Sequence, residues 1–379
     1  MTEDVGNVSI RLIGHPFAPI GRGEDVRCTY RAFRSIAIKP TITDVYNLNS
    51  PDSDELKEFA NVCVKEPSEI NIFFLNGDEV ERSLAHLGVT ELADGYNIVY
   101  PAWELSRYPK NWAEQLDRFD EIWAMSSFVK MPLEKACKKP VIHMPLACEV
   151  TLASLLSRRY FGIDETHFVF LFFFDVRSYV TRKNPKAVIA GFRRLLGARL
   201  NKSIRLVLKV NGADNAPEAI RQLHAEIEDI ADYVSVFHEM MTDNEVKNLV
   251  RCCDCFVSLH RSEGFGRGIA EAMALGKPVI ATGYSGNMEY MNKEVSFPIA
   301  YELIPLSEGE YPHWENQVWA DADVGEAVHY MSRLIDDPAL GQMVGRKASL
   351  HMRQHFRYSA MGINYRKRLE CVNRRCKAR

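Results

Sequence analysis

Glu263 and Glu271, eight residues apart, bracket a glycine-rich turn in which Gly264, Gly266 and Gly268 alternate with Phe265 and Arg267. Glycines let a backbone come close to a ligand, and the free N–H groups that open a helix favour an anion such as a phosphate. A carboxylate within about 12 Å of that point, by helix rise, supplies the acceptors that ring hydroxyls need. Phosphate and polyhydroxyl together describe a sugar nucleotide. Earlier in the chain Arg177 and Lys183, six residues apart, follow the apolar run Phe168–Phe174, with Arg182 beside the lysine. Cations converging on the end of a central strand, opposite a helix start, would neutralise a diphosphate leaving group. The plain alternative is an ordinary α/β turn with surface glutamates and solvated basic residues.

The elements that must position these groups are short apolar runs punctuated by glycine and proline. Around the two glutamates the pattern predicts a β-α-β unit. Strand Cys255–Leu259 leads into a helix with apolar Ile269, Ala272 and Met273, then Gly276-Lys277-Pro278 and strand Val279–Ala281, closed by Ser285-Gly286-Asn287. Phe168–Phe174 has the length of a strand buried on both faces, and Lys183 is expected to open the next helix. Further strands are expected at Ile204–Val210 and Val234–Phe237, with helices over Glu218–Ile230 and over Asp243–Cys252, the latter capped by Thr242. In the first half, strand Val8–Ile13 runs into Gly21-Arg22-Gly23 and a helix from Val26 to Ala37. Val26 stands where the dinucleotide fingerprint wants its third glycine, so that motif is not completed. Thr41–Glu69 reads as a connecting region. Strands follow at Ile70–Leu75, Tyr96–Tyr100, Glu121–Met125 and Val141–Met144, and a helical stretch at Ala153–Tyr160 marks the boundary between halves. Trp103-Glu104 and Ser126-Ser127 lie just beyond strand ends, where ligands gather in open α/β sheets. Two D-x-D triplets, Asp52-Ser53-Asp54 and Asp321-Ala322-Asp323, read as polar turns.

A chain of 379 residues exceeds the roughly 250–300 residues that one core supports, so two domains are expected. The apolar share of 46% and charged share of 26% are those of a soluble globular protein, and a net charge of −3 argues against nucleic acid as the main partner. With no apolar run long enough for a bilayer, and an acidic start at Met1–Gly6, the chain is expected in the cytoplasm. Nine cysteines fit reduced thiols better than a disulfide framework. Cys252-Cys253-Asp254-Cys255 has no second cluster nearby and reads as buried thiols rather than a zinc site. The basic end, Tyr365–Arg379, carries seven lysines and arginines against one glutamate. It is either a solvated tail or a contact with anionic lipid.

Glu263-Gly264-Phe265-Gly266 followed by Glu271, set between two apolar strands, resembles the E-x7-E signature of retaining glycosyltransferases of family 4. Tyr96–Val129, with Trp103-Glu104-Leu105 and Phe119-Asp120-Glu121-Ile122-Trp123, is similar to the corresponding region of members that assemble bacterial surface polysaccharides. The resemblance implies an α/β chain of the GT-B fold, two Rossmann-like β/α/β domains facing a central cleft. Residues 1–150 would bind the acceptor, residues 151–355 the nucleotide-sugar donor, and 356–379 would form a basic helix returning to the first domain. It implies that Glu271 binds the ribose hydroxyls and Glu263 the donor sugar, that the Phe265-Gly266 backbone lies against sugar and phosphate beside Gly264, and that Arg177 and Lys183 stabilise the departing diphosphate. Gly21, Arg22 and Gly23 would face the donor phosphates across the cleft. The loop after Lys209-Val210-Asn211 and the strand at Val236 would line the nucleobase pocket.

Trp103, Glu104 and Ser126 fall in the acceptor half. Many relatives have a histidine where Trp103-Glu104 stand here, so Glu104 is either a base or hydroxyl partner or a structural cap. The implied activity is transfer of a hexose from a UDP- or GDP-sugar to a hydroxyl of a glycan or lipid-linked acceptor. Configuration would be retained, with no metal and no cofactor, in the cytoplasm or peripherally at the inner membrane face. Two other readings stay open: a sugar-nucleotide epimerase or hydrolase of the same fold, and a non-catalytic sugar-nucleotide-binding protein.

Overall fold

Short runs of three to five residues, most of them largely apolar and separated by helices, build the first sheet. Its strands are β1 (Ile10–Gly14), β2 (Thr41–Asp44), β3 (Ile70–Phe73), β4 (Tyr96–Val99), β5 (Glu121–Ala124) and the three-residue β6 (Val141–His143). All pair in parallel in the order β2-β1-β3-β4-β5-β6. Parallel neighbours need long crossovers, supplied by α1 (Gly21–Arg34), α2 (Asp54–Ala60), α3 (Val80–His86), α4 (Lys110–Leu116) and α5 (Ser127–Ala136). The computed structural model describes residues 8–46, 54–92, 94–199 and 203–377. The chain divides into two compact units, Met1–Glu149 with Gln354–Arg379, and Val150–Arg353.

The second unit holds β7 (Phe168–Asp175), α6 (Val180–Lys183), α7 (Pro185–Ala198), β8 (Ile204–Asn211), α8 (Pro217–Glu226), β9 (Val234–Phe237), α9 (Asp243–Cys252), β10 (Cys255–Ser258), α10 (Arg267–Ala274), β11 (Val279–Thr282) and β12 (Phe297–Ile299). After them come a hairpin of β13 (Tyr301–Pro305) and β14 (Val318–Ala322), then α11 (Val324–Asp336) and α12 (Pro338–His355). The main sheet is again parallel, in the order β12-β11-β10-β7-β8-β9, and β13 pairs β14 antiparallel. Phe170, Phe172 and Phe174 of β7 face Phe192 and Leu195 of α7 and Met331 of α11 in one buried core. That explains the continuous apolar run in β7: a parallel strand covered on both faces has no polar side.

The last helix, α13 (Tyr358–Lys377), belongs to the first unit. The Tyr365 ring stands 5.2 Å from Phe33 of α1 and stacks at 5.5 Å on Trp123 of β5. Arg368 forms an ion pair with the fully buried Glu121, its Nε donating to Oε1 at 2.9 Å. The basic end is therefore not a uniformly solvated face, since Arg368 is spent on packing.

The structure corrects several local expectations. Thr41–Asp44, within the expected connecting region, is an edge strand: three of the four residues in its Thr-Ile-Thr-Asp sequence are polar, and Thr43 donates its hydroxyl to Val64 O at 2.7 Å. Asp52 and Ser53 lie outside the described residues, and Asp54 begins α2. The stretch Ala153–Tyr160 is not helical until a 3-10 turn at Arg158–Phe161. Its backbone is held by asparagines of α9 instead: the Ala153 and Ser154 amides donate to Asn244 Oδ1, and the Leu156 amide donates to Asn248 Oδ1 at 3.0 Å. Lys183 closes α6 rather than opening a helix, because Asn184 turns left-handed at φ 55 and Pro185 starts α7. The expected helix Glu218–Ile230 breaks after Glu226 into a 3-10 turn. Asp321 and Ala322 end β14, and Asp323 caps α11 by accepting from the Glu326 amide.

Thr242 caps α9 in a reciprocal box with Glu245. Cys252, Cys253 and Cys255 are buried, and burial raises all three thiols above their ordinary range. Among the described residues no three His, Cys, Asp or Glu side chains gather as a metal would require, and no helix is long and apolar enough to cross a membrane.

Candidate functional site

In the second sheet β7 and β10 are neighbours, so the segments leaving their carboxyl ends meet. From β7 comes the single turn α6; from β10 comes Leu259–Gly266, which leads into α10. Asn184 Nδ2 donates to Leu259 O at 2.9 Å, and the Arg261 amide donates to Arg182 O at 2.8 Å, locking the two segments together.

Their junction clamps Glu263. Lys183 Nζ donates to Oε1 at 2.5 Å, and Arg182 Nη1 stands 3.3 Å from Oε2 while donating to Ser262 O at 2.8 Å. Burial alone would raise this carboxyl. Lys183 first, then Arg182 and His260, outweigh it and bring Glu263 down to about 2.

Behind the carboxylate His260 is fully buried, and burial lowers its pKa against the opposing pull of Glu263. Asn287 donates through Nδ2 to Thr282 O at 2.8 Å, which turns its Oδ1 toward His260 Nε2 at 3.0 Å. The neutral imidazole therefore donates from Nε2 and accepts at Nδ1 from the Ser258 hydroxyl, 3.1 Å away.

The loop after β11 fixes the turn from the other side. Ser285, at φ 75, accepts from the Glu263 amide at 2.8 Å, and the Gly286 amide donates to Glu263 O at 2.8 Å. A Cβ on Gly286 would fall 1.9 Å from Gly264 O, so this approach requires glycine. Gly266, at φ 80, caps α10, and the Tyr290 hydroxyl lies within 2.8 Å of Phe265 O and 2.6 Å of Gly266 O. Gly264, Phe265 and Gly266 are held rigidly at a helix start whose first N–H groups have no intrahelical acceptor. Glu271 is half-buried in the second turn of α10. A fixed anion, two cations and the N–H groups of a helix start can together hold a hydroxyl-bearing ring beside a phosphate.

Arg177 is placed differently from Lys183. It is half-exposed and paired in two-pronged fashion with Asp175, Nε to Oδ1 at 2.9 Å and Nη2 to Oδ2 at 2.6 Å. The second cation on Glu263 is Arg182, which spacing alone had ranked behind Arg177. Lys209 is buried, donating to Asn211 Oδ1 at 2.8 Å and Glu239 O at 3.0 Å, and burial lowers its pKa. It ties the end of β8 to the loop after β9. Val236 is half-buried in β9.

The residues expected in the first unit have local partners. Gly21, Arg22 and Gly23 form the first turn of α1 rather than a loop before it. Arg22 donates to Asp25 Oδ2 at 3.0 Å and to Tyr100 O at 2.6 Å. Trp103 is buried, its indole N–H donating to Arg107 O at 2.9 Å and its ring 5.3 Å from both Tyr108 and Trp112. Ser126 is buried and caps α5 by accepting from the Val129 amide at 3.3 Å. Both therefore do structural work. Glu104 is half-exposed. Sequence reasoning passed over His260, Ser258 and Tyr290; the signal was polar residues, Ser258, His260, Arg261 and Ser262, directly after an apolar strand and before the glycine turn.

Two parallel-sheet Rossmann-like units with this junction define a GT-B fold, and comparison with known proteins agrees. Residues 157–300 match the family model of glycosyl transferases group 1. Among solved structures the chain is similar to HepE from Anabaena in complex with UDP and glucose, at 13% identity and a TM-score of 0.70, covering 96% of this chain and 100% of that one. A glycosyltransferase from Rickettsia africae ESF-5 gives 15% identity, a TM-score of 0.69 and coverage of 96% and 98%. Sucrose-phosphate synthase from Thermosynechococcus elongatus gives 15%, 0.68, 98% and 99%. No curated protein matches the chain by sequence.

Proposed function

We propose that this protein is a retaining glycosyltransferase of family 4, moving a hexose from a nucleoside diphosphate sugar to a hydroxyl of a glycan or lipid-linked acceptor. The observation that carries the reading is the clamp of Glu263 between Lys183 and Arg182 at the start of α10. A carboxylate held down to about 2 is ionised at any working pH and accepts hydrogen bonds from donor-sugar hydroxyls. Lys183, Arg182 and the first N–H groups of α10 meet the charge that grows on the leaving diphosphate. Glu271 takes the ribose hydroxyls.

In the reaction, the bond from the anomeric carbon to the diphosphate oxygen breaks, its electron pair leaving on the diphosphate. The acceptor oxygen bonds to the same face of that carbon, and its proton passes to the departing phosphate. No metal or cofactor enters this scheme. The first unit takes the acceptor, with Glu104 its half-exposed carboxylate beyond a strand end. The similarity to HepE, whose crystal contains UDP and glucose, favours UDP as the first donor base to try. The enzyme would act in the cytoplasm, in polysaccharide or glycoconjugate synthesis.

The test is calorimetric titration of UDP, GDP, ADP and dTDP, then sugar conjugates of whichever binds, against wild type and Glu271→Ala. One nucleotide is expected to bind, and Glu271→Ala to weaken it by about 1–3 kcal/mol, the cost of leaving a buried hydroxyl without its partner. Binding by none, or undiminished binding by the variant, sinks the reading. Turnover with acceptor in EDTA, with the product anomer read by NMR, tests metal independence and retention. Free sugar or an epimerised donor formed without acceptor would point to the hydrolase or epimerase instead.

A further inference from the structure

The match to glycosyl transferases group 1 stops at residue 300, one residue before the β13–β14 hairpin. That hairpin nevertheless reaches the clamp on Glu263 by two routes. The first is a ring. Tyr311, in the connection 306–317, is buried, its ring 4.6 Å from that of Tyr179 and 5.9 Å from the guanidinium carbon of Arg182. The second is backbone. The Ala320 amide donates to Arg261 O at 3.0 Å, and the Arg261 amide donates in turn to Arg182 O at 2.8 Å. The Arg261 guanidinium lies over Trp319, 5.3 Å from its ring, with Glu310 and Asp321 each at 3.6 Å.

Tyr179 is where the ring contact acts on the backbone. At φ 60 and ψ 94 it lies beyond the ordinary left-handed basin. A side chain persists in such a conformation only where its surroundings over-determine it. Its carbonyl accepts from the amides of Arg182 at 2.9 Å and Lys183 at 3.3 Å. The conformation of Tyr179 thus sets the direction in which α6 presents both cations. A single helical turn of four residues cannot hold itself, so an outside support is needed.

We infer that Tyr311 is a positioning residue for Arg182 and Lys183, and that its ring, packed on Tyr179 and beneath the Arg182 guanidinium, keeps both cations on Glu263. The inference rests on the functional reading above for its kinetic consequence, but not for its structural one.

The test compares Tyr311→Ala and Tyr311→Phe. For Tyr311→Ala the expected results are about a tenfold loss in affinity for the free nucleoside diphosphate, a fall in kcat at saturating donor at least as large, and faster amide hydrogen exchange in peptides spanning 179–184. Tyr311→Phe, which keeps the ring, should stay within about twofold of wild type throughout. Wild-type kcat and exchange in Tyr311→Ala overturn the proposal. So does a Phe variant as impaired as the Ala variant, which would assign the effect to the hydroxyl. If Tyr311→Ala does not fold, Tyr311→Leu fills the same space without an aromatic face and must show the same losses. If wild type turns over no donor, the functional reading fails, while the exchange measurement still decides whether Tyr311 positions α6.

Discussion

Replacing Lys183 with methionine would leave the Glu263 carboxylate buried with Arg182 and His260 but without its strongest partner. Holding that carboxyl at about 2 rather than 4.5 corresponds, at about 1.4 kcal/mol per pH unit, to roughly 3 kcal/mol in favour of the charged form. Lys183 is the largest of the favourable influences and makes the shorter contact, 2.5 Å against 3.3 Å for Arg182. Removing one partner of a buried pair costs about 3–5 kcal/mol, and the surviving arginine trims this to about 2–3 kcal/mol at pH 7. In wild type the folded carboxyl lies below its unfolded value. Its contribution is therefore present above about 4.5 and lost as pH falls towards 2. In the variant the carboxyl moves back up towards its unfolded value, so the deficit is full from pH 7 down to about 5 and shrinks only below that, as Glu263 takes up a proton. Hydrogen exchange at the β7 and β10 amides, across about pH 3.5 to 7.5, reads the stability of the second unit separately from the first. Wild type, Lys183→Met, Glu263→Gln and the double variant complete a cycle whose expected coupling is about 2 kcal/mol. A deficit below about 0.5 kcal/mol at pH 7, or one that does not change with pH, would refute the claim that Lys183 holds the carboxylate.

Two further outcomes are expected. Burial holds His260 below its ordinary 6.5, so between pH 7 and 5 the unfolded chain takes up a proton that the folded chain refuses, and stability falls. His260→Gln should flatten that slope in exchange or denaturant measurements; an unchanged slope would assign the dependence to another group. Arg177 is tied to Asp175 and half-exposed, so Arg177→Ala should lower kcat/KM less than Lys183→Ala. The reverse order in steady-state kinetics would return Arg177 to the diphosphate.

The β-α-β unit around Glu263 was readable because its signals are local. Apolar runs of strand length end at glycine or proline, and the expected Cys255–Leu259 and Val279–Ala281 lie within one residue of the observed strands. The same patterning gave the α/β class and, with the E-x7-E resemblance, the GT-B expectation that the observed fold meets. Where local signals mislead, tertiary contacts explain it. β2 reads as a loop because three of its four residues are polar although the strand is largely buried, and its partner β1 lies some thirty residues away. Ala153–Tyr160 has helical composition, but Asn244 and Asn248 offer its backbone other hydrogen bonds. Trp103 and Ser126 stand beyond strand ends, as ligand-binding residues do, yet their polar atoms are engaged within their own unit.

By itself, then, the sequence determined which segments become strands and helices and where a glycine turn meets a carboxylate, because those depend on periodicity and backbone freedom over a few residues. Which cation serves that carboxylate was decided only in three dimensions. Arg177 and Lys183 look equivalent along the chain, but Asp175 captures one, and Asn184 and the Tyr311 hairpin turn Arg182 and Lys183 towards a glutamate eighty residues on. Charge pairing is settled by distance and burial between side chains remote in sequence, and no local pattern encodes either.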